Sequence, residues 1–315
     1  MLRFIRVTSR PFAVKNQALG QARLLKNRAR KIVLLMLAVT LLAAAAVAQW
    51  TRDPGGRSGR GGFGRGGRGG VPEWENDAEL PHDKFTFARI QYSGYGRGFG
   101  GWRVDYPNAD LNFSHRLEQL TAIKADPDGA VVQFTEKQLY GYPFVYITDP
   151  RSMSLGEDEV KGFRKYLRSG GFFMADDFWS EPEWEAFYRE MKRVLPDVEP
   201  VDLPVEHPLF SHVFPLSEKP QVPSEDWYVD RFATAQQALD SGVTWETKRY
   251  DVMPPKPHFY AYFDKKGRMM GVACHNTDIG DGWEEEGVSE WYFKHFSEPK
   301  SYPMGINILI YAMTH

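Results

Sequence analysis

The chain has 315 residues, 42% of them hydrophobic and 25% charged, with one cysteine and a formal net charge of −2. This composition is typical of a chain with a sizeable folded core, and it excludes a disordered protein or a scaffold held together by disulfides. Residues 71–315 hold 25 basic and 40 acidic residues, and this acidic excess argues against a nucleic-acid partner, whose phosphates require clustered Lys and Arg.

The amino-terminal segment is predicted to direct export. Residues 1–48 contain nine Lys and Arg and no Asp or Glu, and they end in the apolar run Ile32–Ala48, which closes on Ala46-Val47-Ala48. A basic leader, an apolar run and a small-x-small end predict a secretory signal peptide that is cut after Ala48. The alternative is an uncleaved amino-terminal membrane anchor, through which the protein would associate with a membrane. Under both interpretations the acidic part is exported, either periplasmic or anchored to the membrane with the domain outside the cytoplasm.

A linker of low complexity follows the export signal. Residues 49–72 are dominated by Gly and Arg, and this composition predicts a disordered, flexible tether. Segments of this type bind RNA in other compartments, but an exported segment meets no RNA. Residues 73–315 are predicted to form a single α/β domain.

Strand and helix patterns alternate from Phe85 onward. Short apolar runs bounded by turn residues predict six strands, at Phe85–Tyr92, Ala130–Phe134, Phe144–Asp149, Gly171–Asp176, Phe259–Asp264 and Met269–His275. Apolar residues at helical spacing predict four helices, at Leu111–Lys124, Leu155–Ser169, Glu181–Leu195 and Pro303–Met313. This alternation indicates crossover connections, and it predicts a mostly parallel central sheet with helices on both faces.

Several blocks of sequence carry a family resemblance. In chain order these blocks are ARIQYSG, LNFSHRLEQLT, YGYPFVYITD, LRSGGFFMADDF, LPVEHPLF and HNTDIGDGW. Their order and spacing resemble the bacterial domain-of-unknown-function family 4159 over Phe85–His315. The resemblance implies a flavodoxin-like sandwich of the class I glutamine amidotransferase-like superfamily and a place in the cell envelope. It implies no reaction, because the family has no established reaction to carry over.

The cysteine chemistry of the amidotransferases is not expected in this chain. It requires a cysteine at a strand-to-helix elbow and a histidine that a carboxylate orients. Cys274 lies in the sequence GVACHN, which lacks the small-x-Cys-x-small elbow, and Thr277–Gly287 after it is predicted to be a polar loop. His275 is predicted to point to the opposite face of the strand. We therefore interpret Cys274 as a buried structural thiol and expect no glutaminase activity.

No cofactor motif is identified. Gly96, Gly98 and Gly101 match the pattern G-x-G-x-x-G, but that fingerprint binds a dinucleotide only where its glycines open a helix. The next predicted helix starts at Leu111, so these glycines are predicted to form a loop at the rim of the sheet. A divalent cation is compatible with the sequence, because several carboxylates follow the predicted strands.

Polar side chains stand at the carboxyl ends of the predicted strands, where open α/β sheets bind their ligands. The candidates for catalysis are Asp149, Asp176, Asp177 and Asp278, and the candidates for ligand binding are Tyr92, Asn276, Asp281 and His207. Strand alternation predicts that Asp176 and Asp177 lie on different sides and share no proton. The structural alternative is that Asp176 bonds backbone amides and that Asp177 caps the helix starting near Glu181 or forms an Asx turn.

Two classes of function are open. The first is a non-catalytic envelope module for binding or assembly, with an envelope protein or a carbohydrate as the expected partner. The second is a metal- or carboxylate-dependent hydrolase that uses the acids at the carboxyl ends of the strands. The hydrolase requires at least three of these carboxylates within about 3–6 Å of one point.

Overall fold

The computed structural model describes residues 71–75, 83–94, 101–246 and 255–315. The predicted signal segment, residues 49–70 of the predicted linker, and Gly96 and Gly98 lie outside the described residues. Among the helices that are described, none is long and apolar enough to cross a membrane.

The strands of the described chain form one seven-stranded sheet. In chain order they are β1 (Ala88–Ile90), β2 (Ala130–Val132), β3 (Phe144–Thr148), β4 (Phe172–Phe178), β5 (Val201–Asp202), β6 (His258–Phe263) and β7 (Met269–His275). Their order across the sheet is β2-β1-β3-β4-β7-β6-β5. Pairing is parallel from β2 to β7, and β6 pairs antiparallel with both of its neighbours. The mostly parallel α/β sheet predicted from the sequence is confirmed.

Helices connect these strands. In chain order they are α1 (Asn108–Leu120), α2 (Glu157–Arg168), α3 (Ser180–Val194), α4 (Ala235–Asp240), α5 (Asp281–Glu284), α6 (Glu290–Tyr292) and α7 (Tyr302–Thr314). The four predicted helices correspond to α1, α2, α3 and α7. A π-helical segment, Phe293–Ser301, leads from α6 into α7. The predicted polar loop after Cys274 contains α5 and is wrong in that respect, because the Asp278 side chain accepts the Asp281 amide at 2.9 Å and starts a helical turn.

The sheet separates two hydrophobic cores. Alternate residues of the central strands point to opposite faces, so Tyr146 and Met174 lie in one core while Val145 and Phe173 lie in the other. Helices α1 and α7 contribute to the first core, and helices α2 and α3 contribute to the second. Helices on both faces leave only the ends of the strands accessible to a ligand.

The entry into β4 shows how local sequence signals position this strand. Helix α2 has three acidic residues in its first turn and basic residues in its last turn, which matches the helix dipole. It ends at Arg168, and Gly170, two residues later, has a φ of 115° that disfavours other residues. A side chain on the next residue, Gly171, would collide with the Tyr166 ring. These two glycines turn the chain from α2 into the central strand, which carries Asp176 and Asp177 at its far end.

A glycine on α2 provides a test of how closely this helix packs. A Cβ atom on Gly162 would lie 2.0 Å from the Phe134 carbonyl oxygen, and a backbone atom cannot rotate away as a side chain can. We expect Gly162→Ala to lower the free energy of unfolding by about 1–3 kcal/mol, as measured by urea denaturation. Gly141→Ala is the matched control, because its Cβ would meet nothing within 4 Å. Equal stability of the two variants would contradict the close packing.

Candidate functional site

The carboxyl ends of β1, β3, β4 and β7 meet at one edge of the sheet, because these neighbouring strands run parallel. Carboxylates that influence one another's ionisation gather there, and we call them the acidic cluster: Asp105, Asp176, Asp177, Asp278, Asp281 and Glu284. They come from the connection after β1, from the end of β4, and from the chain between β7 and the end of α5. Parallel pairing therefore brings together acids that are far apart in the sequence.

Three members of the cluster form a group that can share one ligand. One oxygen each from Asp105, Asp281 and Glu284 lies within 4.8 Å of the other two. Asp105 and Asp281 are 7% and 8% exposed, and Glu284 is half-buried. Asp281 and Glu284 are three residues apart on α5, so their side chains project from the same side of that helix. Asp105 reaches them from the connection after β1 and shares a hydrogen bond with Glu284.

Gly280 is packed closely against Tyr146 and the acidic cluster. A Cβ atom on Gly280 would lie 2.4 Å from Tyr146 Oη, 3.1 Å from Asp105 Oδ2 and 3.4 Å from Asp278 Oδ1. Asp176 Oδ2 accepts hydrogen bonds from the Gly280 amide at 2.7 Å and from Tyr146 Oη at 3.2 Å. Asp105 Oδ2 and Asp176 Oδ1 are buried and have no hydrogen-bond partner in the described part of the chain. The polarity of these two buried carboxylate oxygens is therefore not compensated by a hydrogen bond within the described residues.

Asp177 lies at the irregular end of β4 and influences the pKa of other acids in the cluster. The pairing of β4 with β7 shifts register there, and Asp177 has a φ of 57°, in the left-handed region. After burial, the Asp177 and Asp176 charges are both among the causes that raise the pKa of Asp105 and Asp278. The predicted strand alternation therefore does not place Asp176 and Asp177 in separate electrostatic environments.

The structural alternatives for the two adjacent acids have different outcomes. Asp176 bonds the backbone amide of Gly280, as that alternative predicts. Asp177 does not stand at the N-cap position, because α3 begins at Ser180 and its N-cap residue is Trp179, whose side chain makes no cap hydrogen bond. At this helix start, Glu183 accepts the Trp179 amide at 2.6 Å and Asn276 accepts the Ser180 amide at 2.9 Å. The Asp177 charge raises the pKa of Asp105 and Asp278, so Asp177 belongs electrostatically to the acidic cluster.

Burial raises the pKa of several carboxyl groups in the cluster. The pKa values of Asp105, Asp278 and Asp281 lie well above the usual range, first because of burial and then because of neighbouring carboxylates. Burial also raises the pKa of Asp176 to about 7, although hydrogen bonds from backbone amides favour its charged form. Carboxyl groups in such an environment hold protons at neutral pH unless a cation compensates their charge.

The backbone around the cluster is held in uncommon conformations. Among the described residues, the non-glycine residues with left-handed φ are Asp105, Asp149, Asp177, Ser180 and Asn276, with values between 45° and 72°. All of them lie at the carboxyl end of the sheet, Asp177 in the last residues of β4 and the others beyond the strand ends. Asp and Asn tolerate this conformation better than most residues. Strained backbone persists where the surrounding structure determines it and is concentrated at functional sites.

Arg89 supports the connection that carries Asp105. Its guanidinium is fully buried, and it donates to both carboxylate oxygens of Asp110 at 2.5–3.0 Å. It also donates to the carbonyls of Trp102 at 3.1 Å and of Val104 at 2.7 Å. Burial alone would lower the pKa of Arg89, but the Asp110 carboxylate raises it, so the guanidinium stays charged. Arg89 therefore fixes the backbone next to Asp105 and partly offsets the negative charge of the cluster.

Tyr92 and Asp149 lie beside the cluster in a separate network. Tyr92 Oη donates to the Asp149 carbonyl at 2.7 Å, and the Asp149 carboxylate accepts the Gly101 amide at 2.7 Å. Arg151 Nε lies 2.7 Å from the Asp149 carboxylate. The Asp177 charge acts on both Tyr92 and Arg151, which places this network next to the acidic cluster. Its contacts hold the loop after β1, and a catalytic role for Asp149 stays a prediction.

Asn276 and His207 differ in their distance from the cluster. Asn276 follows β7, accepts the Ser180 amide at 2.9 Å and donates to the Lys256 carbonyl at 3.0 Å, so both ends of its amide are occupied by backbone. His207 accepts the Leu209 amide through Nδ1, and its ring lies 5.8 Å from the Tyr311 ring near the far end of α7. Among the described residues, these contacts lie near the end of α7 and include no member of the acidic cluster.

The cysteine is buried as expected from the sequence. Cys274 lies fully inside the first core and forms no disulfide. Burial, and secondarily the Asp176 charge, raise the pKa of its thiol well above the usual value. A thiol in this state is a poor nucleophile.

Sequence reasoning missed Asp105, Glu284 and Arg89. Asp105 stands in an irregular connection, where no periodic pattern marks it. Glu284 stands in the stretch after β7 that the sequence predicts to be a loop, although its spacing from Asp281 is that of one helical turn. Arg89 is a charged residue within a buried strand, and that exception to the apolar pattern was the signal available.

Comparison with known proteins identifies a family that matches most of the chain. The model of a family described as a domain of unknown function (DUF4159) matches residues 86–313. No curated protein matches the chain.

Proposed function

The chain belongs to the DUF4159 family, and from the geometry of its acidic cluster we propose that this exported domain binds a hard divalent cation, Ca²⁺ or Mg²⁺. The observation that carries the proposal is the group formed by Asp105, Asp281 and Glu284, whose oxygens lie within 4.8 Å of one another. Ligands on opposite sides of a Ca²⁺ ion, each about 2.4 Å from it, are about 4.8 Å apart. The spacing therefore suits three ligands of one ion.

The charge of the cluster supports the same conclusion. Asp105 Oδ2 and Asp176 Oδ1 are buried without hydrogen-bond partners in the described chain, and burying such oxygens is unfavourable unless a partner compensates them. A divalent cation supplies that compensation and favours the ionised form of each acid. Oxygen-only ligands select hard cations over Zn²⁺ or Cu²⁺, which prefer nitrogen and sulfur.

We propose that the cation serves binding or assembly in the cell envelope. This role agrees with the expectation that the chain lacks the cysteine chemistry of the amidotransferases. A hydrolase is the second candidate, and the observation that favours it is Asp176. Asp176 Oδ1 is buried without a hydrogen-bond partner in the described chain, and a bound cation favours the ionised form of this carboxyl group, which can then accept a proton from water. A screen for hydrolytic activity tests this role. If an activity is found, we expect Asp176→Asn to lose it while still binding the cation.

The strand order supports a finer proposal for the fold. The parallel strands run β2-β1-β3-β4-β7, and with β7 in fifth place this is the flavodoxin-like order 2-1-3-4-5. We propose that the domain is a flavodoxin-like sandwich of the amidotransferase-like kind, extended by β6 and β5. In such sheets ligands bind at the carboxyl ends of the strands, where the acidic cluster lies.

Thermal denaturation of the protein after treatment with a chelator tests the cation site. We expect Ca²⁺ or Mg²⁺, at about 100 times its Kd, to stabilise the protein by about 2.7 kcal/mol. For a domain of this size that corresponds to a rise in Tm of about 5–10 °C. Asp281→Asn and Glu284→Gln each remove one charged ligand, and we expect either variant to lose most of this rise.

Glu290→Gln is the matched control for these variants. Glu290 is an acid on the neighbouring helix α6, exposed and paired only with Lys294. The control is expected to respond to cations as the wild type does. A wild-type Tm that none of Ca²⁺, Mg²⁺ and Mn²⁺ changes would refute the proposal, and so would a full response in Glu284→Gln.

A further inference from the structure

A second concave site lies apart from the acidic cluster. It is a cleft of about 260 Å³ formed by the chain around α4 and α6. Its aromatic walls are Tyr228, Trp291 and Tyr292, and its polar lining includes Glu225, Thr234 and Gln236. The volume is slightly below that of sites for drug-sized molecules, so the cleft suits a small ligand or the end group of a larger one.

Trp291 is held in a fixed orientation at this cleft. One face of its indole stacks on the His295 ring, with the centroids 4.1 Å apart and the planes at 21°. Its Nε1 donates to Gln236 Oε1 at 3.0 Å. One face of the indole and its N–H are therefore already occupied. Trp291 offers the cleft aromatic surface and no hydrogen-bond donor.

Tyr292 forms a rigid wall beside it. Its ring is almost fully buried, and its hydroxyl donates to the Pro223 carbonyl at 2.6 Å. This donor points into the protein and is not available to a ligand. Tyr292 is therefore a packed part of the cleft wall and offers no hydrogen bond to a ligand.

Among the described lining residues of the cleft, the one formal charge is the negative charge of Glu225. The amide nitrogen of Gln236 donates to Asp240 at 2.8 Å, so it is already used. The Glu225 carboxylate makes no hydrogen bond or ion pair with a described residue. No Lys, Arg or His belongs to the lining in the described ranges of the chain. A ligand with acidic groups would therefore find no counter-charge here.

The cleft itself carries a negative charge, because the Glu225 carboxylate is part of its lining. Aromatic rings and a carboxylate are the groups that attract an organic cation.

We propose that this cleft binds an organic ammonium group, with the rings of Trp291 and Tyr228 beside the cation, Tyr292 beneath it and Glu225 as its counter-charge. A cation within about 6 Å of a ring centroid is attracted by the ring quadrupole, and Trp gives the strongest effect. The binding site is independent of the proposed divalent-cation site, because the two share no residue.

Calorimetric titration of the full chain with choline tests this proposal, with 3,3-dimethylbutanol as the probe of equal shape without charge. We expect choline to bind and the neutral probe to bind at least about tenfold more weakly, since only the former gains cation–π attraction. Trp291→Leu is expected to abolish binding. Glu225→Gln changes a half-exposed surface group with little effect on folding, and it is expected to weaken binding several-fold.

Tyr140→Ala is the control for the aromatic variants, because Tyr140 is 42% exposed and lies outside the cleft. It is expected to bind choline as the wild type does. Equal binding of choline and the neutral probe would overturn the proposal in favour of an apolar site. Binding of a chitin oligosaccharide without binding of choline would overturn it in favour of a carbohydrate site, and binding of no probe would also refute it.

Discussion

Asp176→Asn is expected to gain about 3 kcal/mol in free energy of unfolding relative to the wild type between pH 5 and pH 8, in the absence of divalent cations. The pKa of Asp176 is raised from 3.8 to about 7 by burial. Over this range the folded state keeps a proton that the unfolded state has lost, so rising pH opposes folding. The two pH units between 5 and 7 correspond to about 2.7 kcal/mol. The stabilising effect of protonation is complete below the unfolded pKa and is lost as the pH rises through 7.

The comparison with the variant is needed because other groups titrate in the same range. Burial lowers the pKa of His275 to about 4, so that group makes the protein more stable as the pH rises from 5 to 6.5. This contribution is present in both proteins and cancels in the difference. Chemical denaturation at a series of pH values measures the difference directly. A constant difference across the range would mean that the Asp176 carboxyl group is ionised throughout.

A saturating divalent cation is expected to reduce this pH dependence. The cation favours the ionised form of its neighbours and so lowers the pKa of Asp176 toward its unfolded value. The wild type then no longer holds an extra proton in the folded state. Measuring the same pH series with and without Ca²⁺ therefore links the electrostatics of the cluster to the proposed site.

Arg89→Met is expected to lower the free energy of unfolding by about 3–5 kcal/mol. The substitution keeps an unbranched side chain in β1 but leaves the buried Asp110 carboxylate without its cation, which is the costly outcome of breaking a buried pair. It also leaves the carbonyls of Trp102 and Val104 without donors. Urea denaturation at neutral pH measures the loss. A change below about 1 kcal/mol would contradict the assignment of a charged, buried pair.

The double variant Arg89→Met with Asp110→Leu separates stability from site geometry. Removing both charges restores most of the stability, because no buried charge is left unpaired. The chain next to Asp105 nevertheless loses its anchor at Val104. We expect the double variant to bind the divalent cation at least about tenfold more weakly, the effect typical of losing a group that orients a metal ligand. Wild-type affinity would show that Arg89 does not position Asp105.

Sequence patterns predicted the sheet and its main helices because these elements depend on local spacing. The apolar run of β4 and the Gly-Gly turn before it are sufficient to predict a buried strand that ends at Asp176 and Asp177. The charges at the two ends of α2 similarly mark its limits. The position of Asp149 and Asn276 at strand ends follows from the same patterns, and the structure places both there.

The sequence by itself determined the alternation of strands and helices, the excess of acids at the strand ends and the family. Each of these features depends on patterns among residues that are close together in the chain. Only the tertiary structure decided which acids meet. Asp105 joins Asp281 and Glu284 through the parallel pairing of strands distant in sequence. Asp177 raises the pKa of Asp105 and Asp281, and its left-handed φ is not predicted by a strand pattern. Contacts between distant segments and single irregular φ angles have no periodic signal, so the geometry of the site could not be derived from spacing alone.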